Sequence, residues 1–321
     1  MNAATEASES FVAPTTAPRP VRPFYWSVMR ELWENRSLFI APLVVGGLAV
    51  VILIYVEIFG AYDVRVLGSV PADAPGRVAT FGYGVLAWAM SAVMHITVFF
   101  YLLDALQGER KDRSVLFWKS MPVSDTTTVL SKLFTALVVS GVIVAVVAIV
   151  TQVALMLVAS VVLMIGGANP LTVWGSAQLG QMTVAILYWQ LTTALWYAPV
   201  AAWLLLVSSW AKRVTILWAL LPPIAAAVFE RLALRTHYLQ DIINSRLNDP
   251  VFARFMASNN ARGAEFTVGD ETVKAHGLGG RVFDAIDPVA FFTNPWLWIG
   301  LVVAAGLVAA AIWMRRYREP I

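Results

Sequence analysis

The sequence predicts an all-α integral membrane protein in which six transmembrane helices follow an amphipathic interfacial helix, with both termini on the cytoplasmic side. Three observations carry this. Of 321 residues 59% are hydrophobic and 13% charged, with a mean hydropathy of +0.70, against about 45–50% apolar and about 25% charged in a soluble domain. Six runs approach the roughly 20 mainly apolar residues that a bilayer core requires. Basic residues gather at alternate ends of those runs. The net charge of +3 and the pI near 9.2 therefore report topology, and no nucleic-acid partner is expected. The chain has no cysteine, so disulfides, thiolate metal sites and thiol nucleophiles are ruled out.

Residues 1–22 are rich in Ala, Thr, Ser, Pro and Glu and lack the basic start and apolar centre of a signal peptide; they predict a disordered cytoplasmic tail. In 23–36, Tyr25, Val28, Met29, Leu32 and Trp33 recur at helical spacing while Ser27, Arg30, Glu31, Glu34 and Asn35 fill the other face. Opened by Pro23, this is an amphipathic helix for the headgroup plane, with Trp26 and Trp33 as anchors. The spans of the transmembrane region 37–321 follow at Leu38–Gly60, Thr80–Leu103, Leu133–Ile165, Met182–Trp210, Val214–Phe229 and Trp296–Met314. At about 1.5 Å per residue the third is about 50 Å long, more than the whole bilayer, so it must tilt, bend or project. Ser140-Gly141 and Thr151-Gln152 are too weakly polar to split it.

Arg30, Arg36, the loop 105–132, Lys212-Arg213 and Arg315, Arg316 and Arg318 fall at the inner ends; the short outer loops carry only Arg65 and Arg77. The long extracytoplasmic segment 233–294 is expected to form short helices at Thr236–Leu247 and Val251–Met256 and a turn at Gly277–Gly280, packed as a lid on the spans. A separate receptor domain is the alternative, with little core to bury in so short a segment.

No GxxxxGK[ST] loop, HExxH pair or GxSxG elbow occurs. His95, His237 and His276 stand apart, so neither an enzyme nor a metal site is expected. Polar groups inside the membrane are functional candidates by default. Span two carries Tyr83, Trp88, Met94 and His95; span five carries Trp218, Pro222 and Pro223, with Glu230 at its outer end. His95 reads either as a cavity-facing group or as a neutral histidine bonded to a neighbouring helix. The adjacent prolines remove two backbone donors and predict a bent or broken span five. Trp189, Trp196 and Tyr197 of span four read as packing residues.

The densest chemistry lies in the loop 105–132. Glu109, Arg110 and Lys111 precede Arg113-Ser114, an apolar helix Val115–Trp118 with Phe117 flanked by Lys119, then Ser120-Met121-Pro122-Val123-Ser124 and Val129-Leu130-Ser131-Lys132. Pro122 pushes Met121 out of the helical region, and Ser124 or Asp125 caps the helix of span three. This order resembles the first cytoplasmic loop of ABC-2-type (type-2) ABC transporter permeases. About 25 residues match closely, and Arg113 and Asp125 depart from the pattern.

The resemblance implies the ABC-2-type exporter fold and a coupling role for Glu109, Arg110, Lys111, Arg113, Ser114, Phe117, Trp118, Lys119 and Pro122, with Lys212 and Arg213 as a second contact. It implies a substrate path lined by Tyr83, Trp88, Met94, His95, Trp218, Pro222, Pro223 and Glu230. It further implies two copies of a cytoplasmic ABC ATPase carrying ATP and Mg, no cofactor on this chain, and a second permease copy, the same chain or a different one. The setting is the lipid of a bacterial inner membrane and the cargo a hydrophobic or amphiphilic compound such as a drug, lipid or peptide. The alternative is a membrane sensor or scaffold that binds a cytoplasmic partner without transport.

Overall fold

The computed structural model describes residues 22–59, 74–111, 123–167, 169–176, 179–247, 264–268, 271–275 and 286–317. Five of its helical segments are long and apolar enough to cross a membrane, and a pair of helices bent by 49° meets the same criterion together, for up to six. Helix α1, Pro23–Glu34, begins on its proline and stops at Asn35, whose amide donates to Glu31 O at 3.0 Å. Span one is α2, Ser37–Phe59. Span two is α3, Ala74–Asp104, prolonged after a one-turn break by α4, Gln107–Lys111.

Span three is the 41-residue stretch Asp125–Ile165. Ser124 opens it, its hydroxyl accepting from Thr127 N at 3.1 Å. The stretch is divided into α5, Asp125–Phe134, a π-helical turn, Thr135–Val139, and α6, Ser140–Ile165. After the short α7, Leu171–Ser176, span four is α8, Leu179–Trp196, and α9, Ala198–Trp210. The two halves meet in the 49° bend at Tyr197, next to Pro199.

Of the bend or break expected in span five, the break does not occur. Helix α10, Thr215–Phe229, runs through Pro222 and Pro223 into a π turn, Glu230–Leu234. Pro223 leaves Ala219 O without its helical donor, and the indole Nε1 of Trp203 on α9 donates to that carbonyl at 3.0 Å. A ring from the next helix thus replaces the missing amide.

In the long segment between spans five and six, α11 covers Tyr238–Leu247, close to the expected helix. Strands β1, Ala264–Val268, and β2, Glu271–Ala275, pair antiparallel with Val268 opposite Glu271, a hairpin added to the helical expectation. The stretches 251–256 and 277–280 lie outside the described residues, as do residues 1–21. Helix α12, Pro288–Phe292, is capped by Asp287, and span six is α13, Pro295–Tyr317.

Small residues set the packing. Ala201 and Ala202 on α9 and Ala304, Val308 and Ala311 on α13 are buried in one core that also holds Leu102, Leu106, Val129 and Leu205. Such residues let helix backbones approach closely where no hydrophobic drive separates protein from lipid. Gly46 on α2 serves the contact with α6, since a Cβ there would lie 2.5 Å from Thr151 Oγ1. The opposite faces, such as Leu43, Val44, Leu48, Val51 and Ile52 of α2, are exposed and apolar, as a lipid-facing surface requires.

Candidate functional site

Two features stand out, an ion cluster at one end of the bundle and a cavity deeper between the helices. In the cluster, Glu31 is 1% exposed and its Oε1 accepts from Lys132 Nζ at 2.8 Å and from Arg30 Nη2 at 2.9 Å, while Oε2 accepts from Tyr101 OH at 2.9 Å. Glu109 pairs with Lys132 at 3.1 Å, Arg30 at 3.2 Å and Arg315 at 2.8 Å. Arg315 also donates from Nε to Asp125 at 2.9 Å. Arg30 also lies 3.7 Å from Glu34 at the exposed edge, so among the described residues Arg30, Lys132 and Arg315 meet Glu31, Glu34, Glu109 and Asp125. Burial works against the Arg30 charge, yet its hydrogen bond to Glu31 and the nearby carboxylates raise its pKa above the ordinary value.

The helices that supply these groups are the ones the sequence spaces widely: α1, the loop start at α4, the opening of span three and the end of span six. Arg30 and Glu31 turn part of the polar face of α1 into the protein. Glu34 on that face stays exposed, as do Tyr25, Trp26 and Trp33.

Arg110 ties the loop start to span four, its guanidinium donating to Ser208 O and to Ala211 O. Ser208 Oγ accepts from Leu106 N at 2.8 Å and Gln107 N at 3.2 Å. Lys111 is exposed and faces the turn bearing Lys212 and Arg213 across a concavity. Arg113, Ser114, Phe117, Trp118, Lys119 and Pro122 lie outside the described residues.

The deeper cavity, of about 180 Å³, is lined by Ser91, Met94 and His95 of α3, Gln190 and Tyr197 at the broken span four, the π turn of span three, and Leu247 from α11. His95 Nδ1 lies 2.6 Å from Ser91 O. Since a carbonyl only accepts, Nδ1 is the donor in this contact. The histidine is thus bonded within its own helix, where the packing alternative had a neighbouring helix, and its ring lies 4.8 Å from that of Tyr197. Gln190 Nε2 donates to Ser91 Oγ at 2.9 Å. A π turn and a helix break at one cavity concentrate the backbone irregularities that recur at functional sites.

Met94 and His95 are thus brought together; Tyr83, Trp88, Trp218, Pro222 and Pro223 lie away from this cavity. Glu230 caps α11, its carboxylate accepting from Thr236 Oγ1 at 2.8 Å, Tyr238 N at 2.9 Å and Leu239 N at 2.7 Å. At the other end of α11, Arg246 lies 4.3 Å over the Trp196 ring and donates to Trp196 O and Trp296 O. Its guanidinium thereby joins the broken end of α8 to the start of α13. Tyr197 OH donates to Leu247 O at 2.9 Å and closes the same contact. Glu31, Tyr101, Arg246 and Gln190 are site residues that sequence reasoning missed. No family model, curated protein or solved structure matches the chain.

Proposed function

We propose that this chain is the permease subunit of an ATP-driven ABC-2-type transporter, placed in the inner membrane of a bacterium with both termini cytoplasmic. In this reading it dimerises, preferentially with itself, and works with two copies of a separate ATPase that bind ATP and Mg. The cargo is a hydrophobic or amphiphilic compound moving outward.

The observation that carries the reading is that both ends of the loop 105–132 are held in one buried ion cluster, Glu109 at its start and Asp125 and Lys132 at its exit. A loop tethered only by its chain would move independently of the helices. One whose ends are locked to α1 and α13 moves them with it, as a loop that receives force from a partner must. The loop's residue order, which resembles the coupling loop of those permeases, supplies the partner's class. The cavity supports the cargo class, since it is apolar with a few polar groups, the composition that suits an amphiphile.

The test is to purify the chain with its co-expressed partners and identify them by mass. An ATPase whose activity responds to hydrophobic cargo is the expected result. Phe117→Ala with Trp118→Ala should then weaken that complex or uncouple its hydrolysis, aromatic hot spots being worth about 2 kcal/mol or more each. Recovery of a correctly inserted chain with a cytoplasmic partner other than an ATPase would overturn the transport reading in favour of a sensor or scaffold.

A further inference from the structure

A second site lies at the charged end of the bundle, between α4 and the turn that joins spans four and five. It is a concavity of about 490 Å³ whose lining comprises Gln107, Arg110, Lys111, Ala211, Lys212, Arg213 and Val214. Four of these seven residues are cations, and among the described residues no acidic side chain lines it. Glu109 is turned away into the ion cluster. Arg110 is fixed by its bonds to Ser208 O and Ala211 O, while Lys111, Lys212 and Arg213 are exposed.

The turn is built at a backbone cost. Val214 sits at φ 48° and ψ 59°, a left-handed conformation that a β-branched residue strongly disfavours. Strain of that kind persists where the surrounding structure holds it and is concentrated at ligand-binding positions. Here it presents two adjacent cations toward Lys111.

Directly beside the concavity runs an apolar track. Val214, Leu217, Trp218 and Leu221 are spaced along one face of α10 and are 57%, 56%, 46% and 57% exposed. Trp218 packs edge-on against Trp210, ring centroids 4.8 Å apart, at the end of the spans. Paired tryptophans at that level mark the boundary between hydrocarbon and headgroups. A cationic concavity at that boundary, continuous with a lipid-facing strip, matches a ligand with an anionic head and apolar tails.

We propose that the concavity formed by Arg110, Lys111, Lys212 and Arg213 binds the phosphate headgroup of an anionic phospholipid, whose acyl chains lie along α10. This site stands independently of the transport reading, because it requires only that the spans sit in a bilayer. It gives the Lys212-Arg213 turn an occupant in the isolated chain, before any ATPase meets it.

The experiment is a native mass-spectrometric titration of the delipidated full-length chain with phosphatidylglycerol and, separately, phosphatidylcholine. Phosphatidylglycerol should be retained more tightly, by about fivefold for each cation engaged. Lys212→Gln with Arg213→Gln should lower its affinity by about 25-fold and leave that for phosphatidylcholine unchanged. Arg316→Gln, which removes a cation elsewhere at the same end, should leave both unchanged. If the double variant fails to fold, the exposed Lys111→Gln carries the test with a loss of about fivefold. Equal affinity for the two lipids, or the same loss in Arg316→Gln, would overturn the site in favour of diffuse surface attraction. Displacement of the lipid by millimolar inorganic phosphate would overturn the lipid assignment in favour of a free-anion site.

Discussion

Lys132→Met removes the cation on which the cluster turns. Lys132 is 2% exposed and lies 2.8 Å from Glu31 and 3.1 Å from Glu109. At an effective dielectric constant near 20 each contact is worth about 5–6 kcal/mol of gross attraction. Most of that is offset in the native protein by desolvating the ions, several kcal/mol apiece. Truncation removes the attraction and leaves the cost, because Glu31 stays buried and Glu109 nearly so. The expected loss is therefore about 3–5 kcal/mol, the range for a buried pair broken on one side.

Reversible unfolding in mixed micelles, followed by far-UV circular dichroism, measures it. The companion variant Lys132→Met with Glu31→Gln removes charge from both sides. It should be less destabilised than the sum of the single variants, with a coupling of about 0.5–3 kcal/mol. A loss below about 1 kcal/mol for Lys132→Met, the range of an exposed pair, or strict additivity in the cycle would refute the claim that the cluster is a dry, interdependent unit.

Gly46→Ala should destabilise the chain by about 1–3 kcal/mol by forcing α2 from α6, and Thr151→Ala in the same chain should restore part of the loss; the same micelle titration reads both. Arg246→Ala should act locally, raising hydrogen exchange of the 238–247 amides tens- to hundreds-fold through the loss of about 2–3 kcal/mol of charged hydrogen bonding, while the charged end stays protected. Single cysteines at Ser114 and Arg316 should resist an impermeant thiol reagent in intact cells and one at Asn260 should react; labelling at Ser114 from outside would reverse the assigned orientation.

The spans were legible because hydropathy is a one-dimensional signal. The run read as Leu38–Gly60 is the helix Ser37–Phe59, and the run read as Trp296–Met314 lies inside Pro295–Tyr317. The cluster was not, since Glu31, Glu109, Lys132 and Arg315 meet only in three dimensions. A hint was present in the two glutamates at span ends otherwise rich in cations, where charge alone would favour cations only. That α10 stays unbroken at its prolines was not legible, because counting lost donors along the helix cannot see a donor arriving from Trp203 on α9. The hairpin carried a signal that went unused, a Gly-Asp pair between two runs containing alternating β-branched and aromatic residues.

The ion cluster and the cavity are joined by one continuous element, and this bears on how the proposed cycle would run. Asp125 and Lys132 belong to α5, and Ala136 and Leu137, which line the cavity, follow within the π turn. Lys132 and Ala136 are four residues apart, about 6 Å along a helix. A displacement imposed on the loop would therefore have one helical turn to cross before it met the cavity wall. The π turn is the weakest point of that lever, since its i→i+5 pattern holds one residue more than an α-helix would and can be passed along the chain. Ser140 hydroxyl already donates to Ala136 O at 2.6 Å, which holds the turn in its present register and stiffens the wall. Across the cavity stands the break at Tyr197, whose far side is fixed by Arg246 and Leu247 to α11. Force applied at the charged end would thus act on a cavity held between a helix that can slip and a helix that is already broken. That arrangement lets the cavity change shape while the Ala-rich contact of α9 with α13 stays intact.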